Sequence, residues 1–131
     1  MATIDSFEDL IVWQKSRLFC REVYLLISSG SFKRDFALID QLNRSSGSVM
    51  DNIAEGFGRL GNREFINFLT YSNASCLECR SQVLRAYDRN YIPAEKKDEL
   101  IFLLTEITKM INGMIVYLQK NGFRGRKFKV S

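Results

Sequence analysis

Cysteine is the residue type in this sequence with the widest chemical range, and Cys76 and Cys79 have the C-x-x-C spacing of redox and zinc motifs. A zinc site needs two further ligands, and Cys20 is the only other thiol. A redox pair normally sits where a strand turns into a helix, whereas this pair falls in the middle of a helical pattern. We therefore expect the thiols to be free and to pack in the core as small apolar groups.

Histidine is absent from the chain. Its absence excludes histidine-based triads, di-iron ligation by pairs of Glu-x-x-His motifs and most forms of zinc catalysis. No other constellation of nucleophile and base stands out. The sequence therefore predicts a protein that is not an enzyme and that holds no metal and no cofactor.

The most unusual polar stretch is Asn52–Arg59, which reads Asn-Ile-Ala-Glu-Gly-Phe-Gly-Arg. On a continuing helix Asn52, Glu55 and Arg59 would share one face, and Glu55 and Arg59 are four residues apart, the spacing of an ion pair. Gly56 lies on the same face and contributes no side chain to it. The stretch is either a polar cluster that fixes the turn and the packing register of the helix, or a polar site exposed at the bundle end or an oligomer interface.

The C-terminal segment carries most of the positive charge of the chain. The net charge is +4 at pH 7, from 19 basic and 15 acidic residues. Five of the basic residues lie in the last twelve positions, which contain no acid: Lys120, Arg124, Arg126, Lys127 and Lys129. Such residues neutralise phosphates without needing a fixed fold, and Phe123 and Phe128 between them could stack on bases. A merely solvated tail has the same composition.

Three arginines in the second half of the chain, Arg80, Arg85 and Arg89, extend the candidate nucleic-acid surface. Arg17 and Arg21 could add to it from the first helix. Each has acidic neighbours, so charge alone does not decide whether these side chains bind phosphates or pair within the protein.

The elements that must position these residues are four amphipathic helices. Apolar residues recur at spacings of three and four over residues 7–27, 33–57, 62–88 and 93–121. Ser6 and Asp9 form a capping box, Asn62 is a good N-cap, and Pro93 suits a first helical position. No segment of adequate length alternates polar and apolar residues, so no sheet is expected. The predicted fold is all-α, an antiparallel up-down four-helix bundle.

Helix one has more apolar surface than the core of a single bundle requires. Helix one has an apolar stripe Trp13-Cys20-Tyr24-Ile27 and a neighbouring stripe Ile11-Leu18-Leu25. Large apolar patches are rarely left exposed on soluble monomers, so the excess predicts a homo-oligomer.

Helix two has a centre of small residues, Ser45 to Ser48, where Gly47 costs about 1 kcal/mol of helix stability against alanine. Close approach of a neighbouring backbone would offset that cost.

Composition places the chain among soluble single-domain proteins. At 131 residues, with 46% hydrophobic and 26% charged residues, it can bury a core without a disulfide or metal. We divide it into a bundle domain, residues 1–122, and a basic C-terminal tail, residues 123–131. The N-terminus has no signal-peptide features, and no apolar run approaches the ~20 residues of a membrane span. With an odd number of cysteines, these features predict a cytoplasmic protein that does not contact the membrane.

Several motifs together resemble a known family. The chain is similar, from about residue 7 to residue 118, to the 23S rRNA intervening-sequence proteins, small bacterial four-helix bundles of which some are encoded inside inserts in 23S rRNA genes. The Asn-Ile-Ala-Glu-Gly run is the most specific part of the likeness. The matching motifs in chain order are Phe7–Leu10 with Trp13-Gln14, then Gln41-Leu42, then Asn52–Arg59, then Glu64-Phe65.

This resemblance implies an antiparallel bundle that assembles into a ring-like homo-oligomer, a pentamer. It also implies kinship with the accessory variability protein of diversity-generating retroelements, a basic bundle that associates with nucleic acid and a reverse transcriptase. It implies no enzyme activity. Two hypotheses about function follow: a bundle that binds RNA or DNA, structured RNA in particular, through its tail and arginines, or an adaptor that binds a protein partner and never touches nucleic acid.

Overall fold

A computed structural model of the chain describes residues 2–121 and 128–130, with side chains placed for residues 4–120. Four helices confirm the all-α prediction. The helices are α1 (Ile11–Ile27), α2 (Phe36–Phe57), α3 (Asn62–Asp88) and α4 (Ala94–Asn121). A 3₁₀ turn, Phe7–Asp9, precedes α1, and two three-residue strands, β1 (Ala2–Ile4) and β2 (Phe128–Val130), stand at the two ends of the chain.

The helices surround one core in the order α1, α2, α3, α4. Among neighbouring helices the contacts are densest between α2 and α3 and sparsest between α1 and α4, whereas α1 and α3 occupy diagonal positions. Consecutive helices joined by short turns pack antiparallel, as predicted. The centre of the core is made of fully buried large side chains from all four helices, among them Phe19, Ile53, Phe65, Leu69 and Ile107.

Two helices begin later than the sequence pattern predicts. Ser6 does cap, but its hydroxyl accepts from the Glu8 amide on the 3₁₀ turn, and α1 starts only at Ile11. Lys33 is not helical because its φ is +57°, in the left-handed region. The α2 helix starts instead at Phe36, where the Asp35 carboxylate accepts from the Leu38 amide.

The ends of α3 and α4 lie close to their predicted positions, but the residues there have different roles. Asn62 is the first residue of α3 and Gly61 occupies the N-cap position. The Asn62 side-chain amide donates instead to the carbonyl of Leu118, 2.9 Å away, which joins the α2–α3 turn to the last turn of α4. Pro93 precedes the first residue of α4, and its carbonyl accepts from the Lys97 amide.

The expectation of no sheet needs one correction. Strands β1 and β2 pair antiparallel, with Thr3 opposite Lys129. Three residues are too few to show an alternating pattern, and the partners lie at opposite ends of the chain, so periodicity cannot detect the pairing. The Ile4 side chain is buried against the core.

The inward stripe of α1 coincides with neither of the two apolar stripes of the sequence pattern. Its centre is Val12, Ser16, Phe19 and Val23, all buried, whereas Tyr24 is exposed. Ser16 escaped the apolar pattern because it is polar, but its hydroxyl donates to the carbonyl of Val12 and is satisfied inside the helix. The stripe that does face outward consists of Ile11, Leu18 and Leu25.

Helix α4 is unusually apolar. Among the described residues it is the one helix, Ala94–Lys120, that is long and apolar enough to cross a membrane by length and composition alone, because its most apolar 18-residue stretch has a mean hydropathy of 1.5. The sequence reading, which found no run of that kind, was wrong on this point. Only 22% of the most apolar stretch is buried within the chain. The other residues of that stretch include half-buried ones that pack against the core, such as Ile101 and Leu103, and exposed ones such as Phe102 and Val116.

Candidate nucleic-acid interface at one end of the bundle

Gly56 marks the closest approach between two helices. A Cβ built on this residue would lie 2.7 Å from the Cβ of Phe68 and 3.0 Å from a ring carbon of Phe65. Real side chains do not tolerate the first distance, so only glycine lets α2 pass α3 here. The sequence pattern predicted a close backbone approach at the centre of α2. The structure shows it instead at Gly56, near the C-terminal end of that helix.

Asn52 also serves packing between α2 and α3. Its amide nitrogen donates to the carbonyl and hydroxyl oxygens of Ser48, at 2.8 and 2.9 Å. The Ser48 hydroxyl in turn is 2.8 Å from that of Ser75 on α3. The side chain thus orients a serine pair that crosses the helix interface.

Arg59 links the end of α2 to the start of α3. Its guanidinium lies 3.8 Å from the Glu55 carboxylate, as the four-residue spacing predicts, and 3.9 Å from that of Glu64. It also covers the Phe68 ring at 4.9 Å, a cation–π distance. These contacts favour the structural reading of Asn52–Arg59, a cluster that fixes the turn, although the Glu55 and Arg59 side chains are still about half exposed.

The small residues in the centre of α2 make polar contacts. The hydroxyl of Ser45 donates to the side-chain oxygen of Gln82 at 2.5 Å and accepts from the thiol of Cys79 at 3.2 Å. In contrast, a Cβ on Gly47 would meet nothing nearer than the Asp51 carboxylate at 4.0 Å. The serines, and not the glycine, connect α2 to α3.

The three cysteines are free thiols, as expected. Burial raises the pKa of Cys76 to about 11 and that of Cys79 to about 12, so both are protonated at neutral pH. Cys20 is half-buried. In the described part of the chain no three histidine, cysteine, aspartate or glutamate side chains are grouped so as to hold a metal ion.

The arginines predicted on α3 do not share one face. The Arg80 guanidinium donates to the Thr105 hydroxyl on α4 at 3.4 Å. Arg85 reaches the opposite way, to the side-chain oxygen of Gln41 on α2 at 3.0 Å. Arg89 also turns to the α2 side.

Asp35 holds Arg89 in place. Its carboxylate is 2.7 Å from the Arg89 guanidinium and accepts from the Tyr91 hydroxyl at 2.9 Å. The hydrogen bond from Tyr91, followed by those from Arg89 and the Leu38 amide, lowers the pKa of Asp35, and the same contact raises the pKa of Tyr91. Arg89 is therefore largely neutralised within the chain.

A different set of cations gathers at the end of the bundle where α2 and α4 finish and α3 begins. Arg59 and Arg63 lie in and after the α2–α3 turn, and Lys120 lies in the last turn of α4. Arg63 and Lys120 are exposed and make no ion pair with any described side chain. Sequence reasoning missed Arg63, because only the Asn62–Leu118 hydrogen bond shows that this turn adjoins the end of α4.

The remaining predicted site residues follow Lys120 in the sequence. Arg124, Arg126 and Lys127 lie outside the described residues. Lys129 is in β2, whose backbone pairs with β1 next to the start of α1. At the other end of the bundle Lys96 pairs with Glu22 at 2.6 Å, whereas Lys33 and Arg34 are exposed and form no ion pair with a described side chain.

The described residues thus define a small four-helix bundle whose polar motif fixes a turn and whose unpaired cations flank that turn. Residues 8–113 match the 23S rRNA-intervening sequence protein family, and the chain belongs to that family. The sequence likeness is confirmed to that extent.

Solved structures support the same fold. A protein of unknown function from the S23 ribosomal protein family of Bacteroides thetaiotaomicron is similar with a TM-score of 0.76 and 24% identity. The similarity covers 80% of this chain and 98% of that one. At this identity the likeness concerns the fold alone. No curated protein matches the chain.

Proposed function

We propose that the protein is a non-enzymatic, self-associating bundle that binds nucleic acid, structured RNA in particular, through its C-terminal basic segment and the adjoining bundle end. The observation that carries the proposal is the position of Arg63 and Lys120, both exposed and without an ion pair among the described side chains, at the bundle end where α4 finishes. Cations brought together in this way neutralise several phosphates of one backbone. The link of the family to an rRNA insert points to RNA.

Self-association is the second part of the proposal. Helix α4 exposes Phe102 (63%) and Val116, and α1 exposes the stripe of Ile11, Leu18 and Leu25. Apolar surface of this extent usually marks a contact between proteins. The family resemblance proposes a homopentamer, and kinship with the accessory variability protein of retroelements is proposed on the same resemblance.

The experiment is a binding titration with an RNA hairpin at several salt concentrations. A variant with glutamine at Lys120, Arg124, Arg126, Lys127 and Lys129 keeps the chain length and the backbone that forms β2. A second variant, Arg63→Gln, tests the bundle end. We expect the first to lose most of the affinity, and the second to lower the slope of log affinity against log salt by about 1, the effect of removing one phosphate contact.

The matched control is Lys33→Gln with Arg34→Gln, which removes two exposed cations from the opposite end of the bundle. Affinity should change little in this control. Equal losses of log affinity per removed charge in the control and in the C-terminal variant would show that binding follows net charge and not this interface. RNA binding that is absent at low salt would contradict the nucleic-acid proposal.

The rival is a protein-binding adaptor that never contacts nucleic acid. Its supporting observation is the exposed apolar surface, together with a near-neutral body of 14 basic and 15 acidic residues before position 120. The same titration separates the two, because an adaptor should show no salt-dependent binding to RNA or DNA.

A further inference from the structure

Two exposed apolar stripes flank α4 on opposite sides of the bundle. The α1 patch consists of Ile11, Leu18 and Leu25, and the α3 patch consists of Leu77 and Leu84. Leu18 is 43% exposed, Leu77 68% and Leu84 41%. Both patches contain leucines seven residues apart, the spacing that keeps side chains on one helix face.

Both patches lie on the edge of their helix nearest α4. Lys15 and Glu22, three and four residues from Leu18, form ion pairs with Glu106 and Lys96 of α4. Because residues three and four apart share a helix face, the α1 patch borders α4.

The same reasoning applies to the α3 patch. Arg80 lies between Leu77 and Leu84, three and four residues from them, and bonds to Thr105 of α4. Since α1 and α3 are diagonal in the bundle, the two patches point in different directions, and both lean towards the α4 side.

The patches also stand at the same height along the bundle. Lys15 on α1 and Arg80 on α3 contact adjacent residues of α4, Glu106 and Thr105. Seven residues further along each helix, Glu22 and Tyr87 contact Lys96 and Lys97, which are also adjacent. The two helices therefore keep a constant alignment relative to α4.

That alignment places individual apolar residues level with one another. Ile11 stands four residues before Lys15, and Leu77 three before Arg80; Leu18 and Leu84 stand three and four residues after the same two positions. Ile11 is thus level with Leu77, and Leu18 with Leu84, within one residue or about 1.5 Å of helix rise.

The charged rims of the patches are complementary. Beside the α1 patch, away from α4, lie Arg17 and Arg21, both exposed and without an ion pair among the described residues. Beside the α3 patch lie Glu78 and Asp88, exposed and likewise unpaired within the described chain. Arg85, the basic residue nearest them, is turned towards Gln41 of α2.

From these observations we infer that the α1 patch of one copy binds the α3 patch of the next, side by side with α1 and α3 parallel. The inference rests on the proposed self-association and specifies its contact. Two different surfaces that bind each other generate a ring or an open helix, depending on the shift between neighbours. Because the two patches stand at the same height, successive copies are not shifted along the axis of the assembly. Because both patches lean towards α4, each contact turns the next copy in the same direction, so the ring closes with α4 on its inner side.

The test uses two variants that each inactivate one patch, Leu18→Glu and Leu77→Glu. Both positions are exposed in the single chain, so the helical circular dichroism should be unchanged. We expect the wild type to be a defined oligomer by light scattering and each variant to be a monomer. An equimolar mixture should give heterodimers, because the intact α3 patch of Leu18→Glu binds the intact α1 patch of Leu77→Glu. The heterodimer cannot grow, because the two patches left over are the inactivated ones.

Phe36→Glu is the matched control, since Phe36 is 64% exposed at the start of α2 and belongs to neither patch. It should assemble as the wild type does. An assembled Leu77→Glu variant, or a mixture that stays monomeric, would overturn the inference but leave self-association standing. A wild-type protein that is monomeric at tens of micromolar would contradict both the inferred contact and the proposed self-association.

The rims provide an independent test by charge exchange. Arg21→Asp and Asp88→Arg should each weaken assembly several-fold, because each places like charges at the contact. The double variant should recover at least half of that loss, since the pair is restored across the interface. No recovery in the double variant would contradict the proposed register.

Discussion

Gly56 determines how closely α2 and α3 can pack, because a methyl group there would lie 2.7 Å from the Phe68 Cβ. We predict that Gly56→Ala destabilises the protein by roughly 1–3 kcal/mol, the usual cost of overpacking a well-packed contact. The control is Gly47→Ala in the same helix, which has space for a methyl group and should stabilise by about 0.5–1 kcal/mol. Urea denaturation measures both. Equal effects of the two substitutions would show that helix propensity, and not the crossing, determines the role of Gly56.

The thiols should differ sharply in reactivity. With the pKa of Cys76 at about 11 and that of Cys79 at about 12 because of burial, both remain protonated at pH 8 and are shielded from reagents. We predict that an aromatic disulfide reagent modifies one thiol per folded chain quickly, and the other two only after unfolding. Cys20→Ser should abolish the fast reaction. Two fast thiols per chain would contradict the packing role of the C-x-x-C pair.

Single-residue predictions from the sequence succeeded where the interaction is local. The Glu55–Arg59 pair follows from a four-residue spacing, and the burial of Cys76 and Cys79 follows from the helical period. Contacts that depend on which helices become neighbours could not be read in the same way. The convergence of Arg63 with Lys120 depends on the tertiary position of Asn62, and the different directions of Arg80 and Arg85 depend on the partners offered by α4 and α2.

At the scale of helices, Asp35 connects the start of α2 to the α3–α4 turn. Its carboxylate accepts hydrogen bonds from the Leu38 amide, the Arg89 guanidinium and the Tyr91 hydroxyl. Its pKa is lowered from 3.8 in the folded state. The group therefore contributes stability above pH 3.8, and that contribution is lost as the pH falls through the lower, folded-state pKa. We predict that Asp35→Asn lowers the urea midpoint at pH 7, and that the difference shrinks as the pH falls below 3.8.

The control for this prediction is Asp40→Asn on the same helix. Asp40 forms one exposed ion pair with Arg44 at 3.4 Å, and such pairs contribute little to stability. Asparagine keeps the capping ability at position 35, so the comparison isolates the charge. A loss at position 35 that persists unchanged at pH 2 would assign the effect to packing.

Helix existence and type were fully readable from the sequence, whereas helix starts were not. A period of three and four residues identifies a buried face, but the first turn depends on backbone dihedrals such as the positive φ of Lys33. The β1–β2 pairing was invisible for a related reason: it joins the two chain ends over three residues, which leaves no periodic signal.

At the scale of the whole molecule, the width of the apolar face of α1 predicted a surface beyond the protomer core, and Ile11, Leu18 and Leu25 are indeed exposed. The sequence could not identify the surface that complements it, because the level alignment of Leu77 and Leu84 with that stripe follows from ion pairs and hydrogen bonds to α4. Assembly would also matter for nucleic-acid binding. A ring of parallel protomers brings all copies of the Arg59, Arg63 and Lys120 end to the same rim.

We therefore predict that assembly and RNA affinity are coupled. Protomers joined in a ring offer several cationic ends to one RNA, and simultaneous contacts raise the apparent affinity well above that of a single site. The monomeric variant Leu18→Glu should bind the hairpin at least tenfold more weakly than the wild type, with a shallower salt dependence, because fewer phosphates are neutralised by one particle. Phe36→Glu carries the same charge change at an exposed position outside both patches, so it should keep the wild-type affinity and slope. If Leu18→Glu is monomeric yet binds RNA as the wild type does, each protomer holds a complete site and the common rim has no role in binding.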